Sequence, residues 1–323
     1  MQVKTLTELG EGESLRLTIG RLIAGDQVLV GPGDDAAVVA TTDGRFVVTT
    51  DTMIEDHDFR LDWSTGFDLG FKAIASNVSD IAAMGAKPTA LVVAVALPGT
   101  TEITWLEDFA DGLNAGIREL APGASVVGGD LAMSEKVFIS VTAHGDLQGK
   151  EPVLRSGAKL GDVLAVAGTL GKAAAGLALL QRNDSSTSAF DELVEIQKRP
   201  MPPVLLGVVA NNSGATAMLD ISDGLVKDAS RIAKASNVSI DLTGSALQGF
   251  EAVLEQAAAR LEVSGMDWVL YGGEDHSLLA TFPKGTELPK GFKAIGNVTQ
   301  ANGNSVTLDG IAVSIIGWDS IRG

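Results

Sequence analysis

Aspartates beside glycines and hydroxyls, at the ends of apolar runs, are the residues of this chain best suited to chemistry. Five groups stand out: Asp34-Asp35 within GPGDDAAV, Thr49-Thr50-Asp51, Asp80, Gly128-Gly129-Asp130, and Asp220-Ile221-Ser222-Asp223-Gly224. Glycine lets backbone approach a ligand closely, and 38 of the 323 residues are glycine. Any one of these aspartates taken singly is ordinarily a turn former, an N-cap or a solvated side chain. Five groups that each follow an apolar strand or face a helix interior are harder to account for that way. Asp80 comes three residues after Asn77 in a mostly apolar helical stretch, so both project from one side. A carboxylate there is costly without compensating positive charge, which Lys72 and Lys87 supply in part. Carboxylates and hydroxyls, with no cysteine and little histidine, suit a hard, oxygen-seeking cation, Mg²⁺ above others. Mg²⁺ in turn points to a nucleoside triphosphate.

Composition narrows the field further. Lysine and arginine number 24 against 41 acidic residues, a net charge of −17. A field of that sign repels phosphate backbones and anionic lipid, so neither nucleic acid nor a membrane surface is an expected partner. A phosphorylated ligand would need metal ions or local cationic groups. The absence of cysteine excludes disulfides, thiolate zinc sites, iron–sulfur clusters and cysteine nucleophiles. His57, His144 and His276 lie too far apart to show metal-ligand spacing. Gly31-Pro32-Gly33-Asp34-Asp35-Ala36 matches the dinucleotide fingerprint in form, but two carboxylates would face the pyrophosphate and the residues that follow alternate like strands. Gly171-Lys172 is followed by Ala173, so there is no Walker A loop, and DISDG lacks the further ligands of an EF-hand. No stretch approaches the ~20 apolar residues of a membrane span. The N-terminus lacks a hydrophobic signal core, so the expected location is cytoplasmic.

These residues need elements to position them. Apolar spacing predicts strands at 27–30 and 45–50, a helix over 66–84, a strand at 91–97, a helix over 104–120, and strands at 125–130 and 136–145. The polar, turn-rich stretch 147–161 marks a domain boundary. Beyond it come a strand at 163–168, a helix over 171–181, a loop at 182–190, a strand–turn–helix over 217–236, and short strands with a helix near 250–262. The pattern suggests two α+β domains, 1–148 and 149–323, rather than a doubly wound sheet.

The motifs GPGDDAAV, TTDTMIEDHDF, KAIASNVSDIAAMGAKPTA, VVGGDL, LRSGAKLGD, LDISDGL and GGEDHSL occur in that order. Together they resemble the thiamine-monophosphate kinase family, part of the ATP-binding superfamily that includes aminoimidazole ribonucleotide synthetase. The resemblance runs from about residue 25 to the C-terminal GWDSI. It implies transfer of the γ-phosphoryl group of ATP to thiamine monophosphate, giving thiamine diphosphate and ADP. It also implies a homodimer: the mixed sheet of an N-terminal ATP- and Mg²⁺-binding domain forms a barrel-like dimer interface. A C-terminal α/β sandwich would complete the nucleotide and substrate site.

Carried over by motif, Asp35, Thr49, Thr50, Asp51, Asp80, Asp130, Asp220 and Asp223 would bind Mg²⁺, with Asp130, Asp51 and Asp220 nearest the chemistry. Gly129, Asp130, Arg155 and Ser222 would contact ATP. Glu274 and Trp318 would contact the thiamine moiety. Where the family has histidine before phenylalanine, this chain has Asp58, with His57 one residue earlier. Asp58 is therefore the expected substrate contact there, with His57 as the alternative. His276 stands where tyrosine is common. The cysteine-dependent relatives, selenophosphate synthetase and the hydrogenase-maturation proteins, are disfavoured by the lack of cysteine. An aminoimidazole ribonucleotide synthetase-like enzyme and a non-catalytic acidic cation-binding protein are the alternatives.

Overall fold

The computed structural model describes residues 4–9, 14, 17–23, 25–30, 38–182 and 188–318. Asp34, Asp35 and the rest of the GPGDDAA motif lie outside the described residues. So do most of the first fifteen residues and 183–187. The chain divides into two units, one from 1–81 and 86–150, the other from 82–85 and 151–323.

The first unit is built on a four-stranded sheet of β3 (Val47–Ile54), β4 (Lys87–Leu97), β5 (Ser125–Met133) and β6 (Phe138–Asp146), in the order β3-β6-β4-β5. β4 and β5 run parallel and the other pairs antiparallel, so the sheet is mixed. It is open, and no closed barrel forms among the described residues. β1 (Val28–Val30) and β2 (Val38–Val39) form a short antiparallel pair. The helix α1 (Leu6–Leu9) precedes it, and α2 (Gly66–Ala83) and α3 (Ile103–Leu120) supply the helical layer.

α2 starts where Thr65 and Asp68 cap each other: Asp68 accepts from the Thr65 amide at 3.0 Å and Thr65 accepts from the Asp68 amide at 3.2 Å. This reciprocal arrangement satisfies helix-end donors. Leu69, Ile74 and Ile81 from α2 and Phe109 and Ile117 from α3 are fully buried, with Leu91 and Leu97 of β4 and Ile139 of β6. The helices touch backbone to backbone: a Cβ on Gly70 would lie 2.1 Å from the Phe109 carbonyl. The apolar side chains Phe46, Val48, Ile54, Val92 and Phe138 remain exposed.

The second unit carries a seven-stranded mixed sheet: β7 (Val163–Ala167), β8 (Ala217–Ile221), β9 (Ser239–Leu242), β10 (Ser277–Phe282), β11 (Phe292–Thr299), β12 (Val306–Leu308) and β13 (Ile311–Ala312), ordered β13-β12-β9-β11-β7-β10-β8. Every residue of β8 and β10 is buried, so both faces are covered there. The helices are α4 (Lys172–Gln181), α5 (Asp191–Lys198), α6 (Leu205–Asn212), α7 (Leu225–Ser236), α8 (Gly244–Glu251), α9 (Glu255–Leu261) and α10 (Gly265–Tyr271). The single helix expected near 250–262 is instead α8 and α9. No helix of the described residues is long and apolar enough to cross a membrane.

Candidate functional site

In the first unit the oxygen donors are placed by β3 and α2. Successive side chains of a strand point to opposite faces. Thr49 and Asp51 are accordingly half-buried, while Thr50 is exposed with Val48 and Thr52. Thr49 Oγ1 donates to Asp80 Oδ2 at 2.8 Å. One turn earlier on α2, Asn77 accepts the Asp51 amide at 3.1 Å and donates to the Ala73 carbonyl at 2.9 Å. The i, i+3 spacing of Asn77 and Asp80 thus matches the i, i+2 spacing of Thr49 and Asp51. The Thr50 hydroxyl lies outside these hydrogen bonds and donates to the Val141 carbonyl at 2.8 Å.

Asp130 sits exposed on β5, paired with Ala94. The pairing jumps from Leu91–Val126 to Val92–Gly128, leaving Val127 as an extra residue. Such a bulge re-aims the residues after it. A Cβ on Gly129 would lie 2.0 Å from the Val93 carbonyl, so only glycine fits there.

Asp58, in the turn after β3, points back to the end of that strand and accepts the Ile54 amide at 2.8 Å, with His57 Nδ1 3.0 Å from its other oxygen. At the end of β6, Asp146 takes hydrogen bonds from Gln27 at 3.2 Å, from the Gln148 amide at 2.8 Å and from the Thr42 hydroxyl.

In the second unit β8 runs into Ser222-Asp223-Gly224 and then α7. Gly224 has φ +117° and lies against the Tyr271 carbonyl, a conformation L side chains rarely adopt. Asp220 is buried, with Oδ2 3.1 Å from His276 Nδ1. Asp223 is bridged by Arg231 and lies 3.1 Å from Lys227 Nζ. Its amide donates to Asp228 Oδ2 at 3.0 Å, and Arg231 also bridges Asp228. Burial pushes the Asp228 carboxyl up to about 6, against the pull of the Arg231 guanidinium. A metal at Asp223 would share that carboxylate with two cations.

The C-terminal segment reaches this turn: the Trp318 amide donates to the Asp223 carbonyl at 3.1 Å, and Lys227 Nζ donates to the Trp318 carbonyl. The Glu274 amide donates to the Ser222 carbonyl at 2.9 Å, and its carboxylate accepts from Gln197 Nε2 at 2.8 Å. Arg155 is exposed, in a single 3₁₀ turn at Arg155–Gly157. Within this unit, therefore, Asp220, Ser222, Asp223, Glu274 and Trp318 are brought together around one turn. Gln197, Lys227, Arg231 and Asp228 carried no sequence signal for this role. Their partners are set by the tertiary fold or by charge pairs that also occur on ordinary solvated helices.

Among the described residues no three acidic or histidine side chains converge as a ready metal cage. The donor chemistry nonetheless fits Mg²⁺, which keeps several waters and takes one or two carboxylates together with substrate phosphates. Thr49, Asp51 and Asp80 offer such a set.

Residues 33–147 match the family described as AIR synthase related protein, N-terminal domain, and residues 159–309 match its C-terminal domain. The chain is 44% identical to a thiamine-monophosphate kinase of Mycobacterium tuberculosis, over 98% of this chain and 93% of that protein. It is similar to the crystal structure of thiamine-monophosphate kinase from Stenotrophomonas maltophilia K279a, with 32% identity, a TM-score of 0.80, and coverage of 93% of this chain and 97% of that one. It is likewise similar to the structure of AaThiL complexed with AMPPCP and TMP, at 31% identity and a TM-score of 0.77 over 98% of this chain and 99% of that one.

Proposed function

Since the chain belongs to the thiamine-monophosphate kinase family, we propose that it phosphorylates thiamine monophosphate with ATP, giving thiamine diphosphate and ADP. The observation that carries this reading is 44% identity to such a kinase across nearly the whole chain. The pattern of oxygen donors on β3, α2 and β8 is compatible with it.

The nucleophile is a phosphate oxygen of thiamine monophosphate. Its second pKa is about 6, so it is largely a dianion at neutral pH. It needs no general base, which suits a chain with three histidines. The oxygen attacks the γ-phosphorus in line, the bond to the β–γ bridging oxygen breaks, and ADP leaves. The barrier is repulsion between two anions and the charge spread over the transferring group. Mg²⁺, when bound, would neutralise that charge across the phosphates.

Asp35, Thr49, Thr50, Asp51, Asp80 and Asp130 in the first unit, and Asp220 and Asp223 in the second, are the residues we propose as ligands of several such ions. Gly129, Asp130, Arg155 and Ser222 would orient ATP, Arg155 through a forked donor to phosphate oxygens. Asp58 would contact the substrate. Glu274 and the indole face of Trp318 would receive the cationic thiazolium, an interaction worth roughly 0.5–2 kcal/mol. The exposed apolar face of Phe46, Val48, Ile54, Val92 and Phe138 supports a homodimer in which two open sheets meet as a barrel. The cytoplasm, where ATP is made and used, is the proposed location.

The test is ADP release from ATP and Mg²⁺, with and without thiamine monophosphate, the thiamine product being resolved by chromatography. Thiamine diphosphate formed in step with ADP supports the proposal. ADP without it would redirect the search to another acceptor within the superfamily. No ADP at all would favour a non-catalytic cation-binding protein.

A further inference from the structure

Glu274 is held by a closed circuit of contacts. Its neighbour Asp275, fully buried, accepts from Thr169 Oγ1 at 2.6 Å and from the Gly171 amide at 2.8 Å, which pins the 274–276 loop to the start of α4. α4 and α5 then pack without space to spare: a Cβ on Gly176 would lie 2.1 Å from the Leu193 carbonyl and 2.9 Å from Gln197 Cβ. One turn further along α5, Gln197 returns to the starting point, its Nε2 donating to Glu274 Oε2 at 2.8 Å. Gln197 is only 6% exposed, and Glu274 itself has a left-handed φ of +65°. The backbone of the loop is tied to the β8 turn as well, through the Glu274 amide to Ser222 and the His276 amide to Ile221.

We propose that Gln197 is a positioning residue that sets substrate specificity: it fixes the rotamer of the Glu274 carboxylate that meets the cationic part of the acceptor. This rests on the reading of Glu274 as an acceptor contact. An amide donor suits the task. It is neutral, so it orients the carboxylate without cancelling the charge that attracts a cation, as a lysine or arginine would. Buried on a helix locked by a glycine contact, it also loses little further freedom when substrate binds.

The experiment uses the full chain, with initial rates measured against thiamine monophosphate at saturating ATP and against ATP at saturating thiamine monophosphate. Gln197→Leu removes the donor at similar volume. Gln197→Glu keeps the shape and sets like charge against Glu274. Each is expected to raise KM for thiamine monophosphate roughly tenfold, the worth of a hydrogen bond to a charged group. KM for ATP should stay within about twofold, a split that a general loss of structure would not produce. In a Glu274→Ala background, Gln197→Leu should add nothing. Equal rises in both KM values, or full additivity in the double variant, would overturn the proposal. If Glu274→Ala raises KM for thiamine monophosphate while the Gln197 variants leave it unchanged, the positioning role alone fails. If Glu274→Ala is itself silent, the reading of Glu274 fails and takes the proposal with it.

Discussion

Asn77 accepts the backbone N–H of Asp51 at 3.1 Å, so the helix residue fixes the strand residue by its main chain and leaves the carboxylate of Asp51 outside that bond. Thr49 and Asp80 repeat the joint two residues along the strand, side chain to side chain. Strand β3 lies at the edge of its sheet, and this pair of contacts ties it to α2.

Asn77→Ala removes an acceptor from the Asp51 amide and a donor from the Ala73 carbonyl, in a site only 1% exposed. It is expected to cost about 1–3 kcal/mol of stability. It should also raise the Mg²⁺ concentration needed for half-maximal ADP release, because Asp51 is no longer set in place. Thermal unfolding and a Mg²⁺ titration measure the two effects. A lower melting temperature with an unchanged Mg²⁺ requirement would leave Asn77 a purely structural residue.

Asp130→Asn should behave in the opposite way. Asp130 is exposed on β5, and substitutions at such positions usually change stability by less than about 0.5 kcal/mol. The variant is therefore expected to melt like the parent and to lose turnover. Near-normal activity would remove Asp130 from the catalytic group. Gly129→Ala, one residue earlier, should destabilise instead, since its Cβ would meet the Val93 carbonyl.

The long periodic elements were legible because apolar spacing reports a buried face. α2 and α3 fall within a residue or so of the stretches 66–84 and 104–120. β4 begins at Lys87 rather than at Leu91, because β6 pairs with the polar, proline-containing start and a register shift between Pro88 and Ala90 accommodates it. β3 extends to Ile54 through Asp51, a residue of low strand preference that pairing with β6 holds in the strand. α5 and α6 had no signal, being eight-residue helices separated by a segment with Pro200, Pro202 and Pro203. The aspartate groups were visible as motifs. Their partners were not: Gln197 and Glu274 are 77 residues apart, and only the packing of α4 against α5 brings them together.

Trp318→Ala tests the acceptor side of the site. Trp318 is 40% exposed, and the contacts that hold its segment to the Asp223 turn are made by its backbone amide and carbonyl. Truncation should therefore leave the segment docked and remove only the indole face. KM for thiamine monophosphate is expected to rise more than KM for ATP, by an amount corresponding to roughly 0.5–2 kcal/mol. An equal effect on both substrates would sink the assignment of Trp318 to the thiamine moiety.

Asp146 gives a prediction with a defined pH sign. It is 2% exposed. Burial alone would raise its carboxyl, but the hydrogen bonds from Thr42, Gln148 and Gln27 outweigh burial and hold it below its ordinary value. A carboxyl depressed in the folded state contributes stability that is fully present above the unfolded pKa, about 3.9, and is lost as pH falls through the folded value. Asp146→Asn removes the charge and turns an amide N–H toward donors, at an expected cost of about 2 kcal/mol at neutral pH. The gap in unfolding free energy between parent and variant should then stay level from pH 8 to about 5 and narrow below about 4. Denaturant unfolding across that range measures it. A gap that stays constant down to pH 3, or widens on acidification, would show that the Asp146 charge is not what secures the contacts with Gln27 and Thr42.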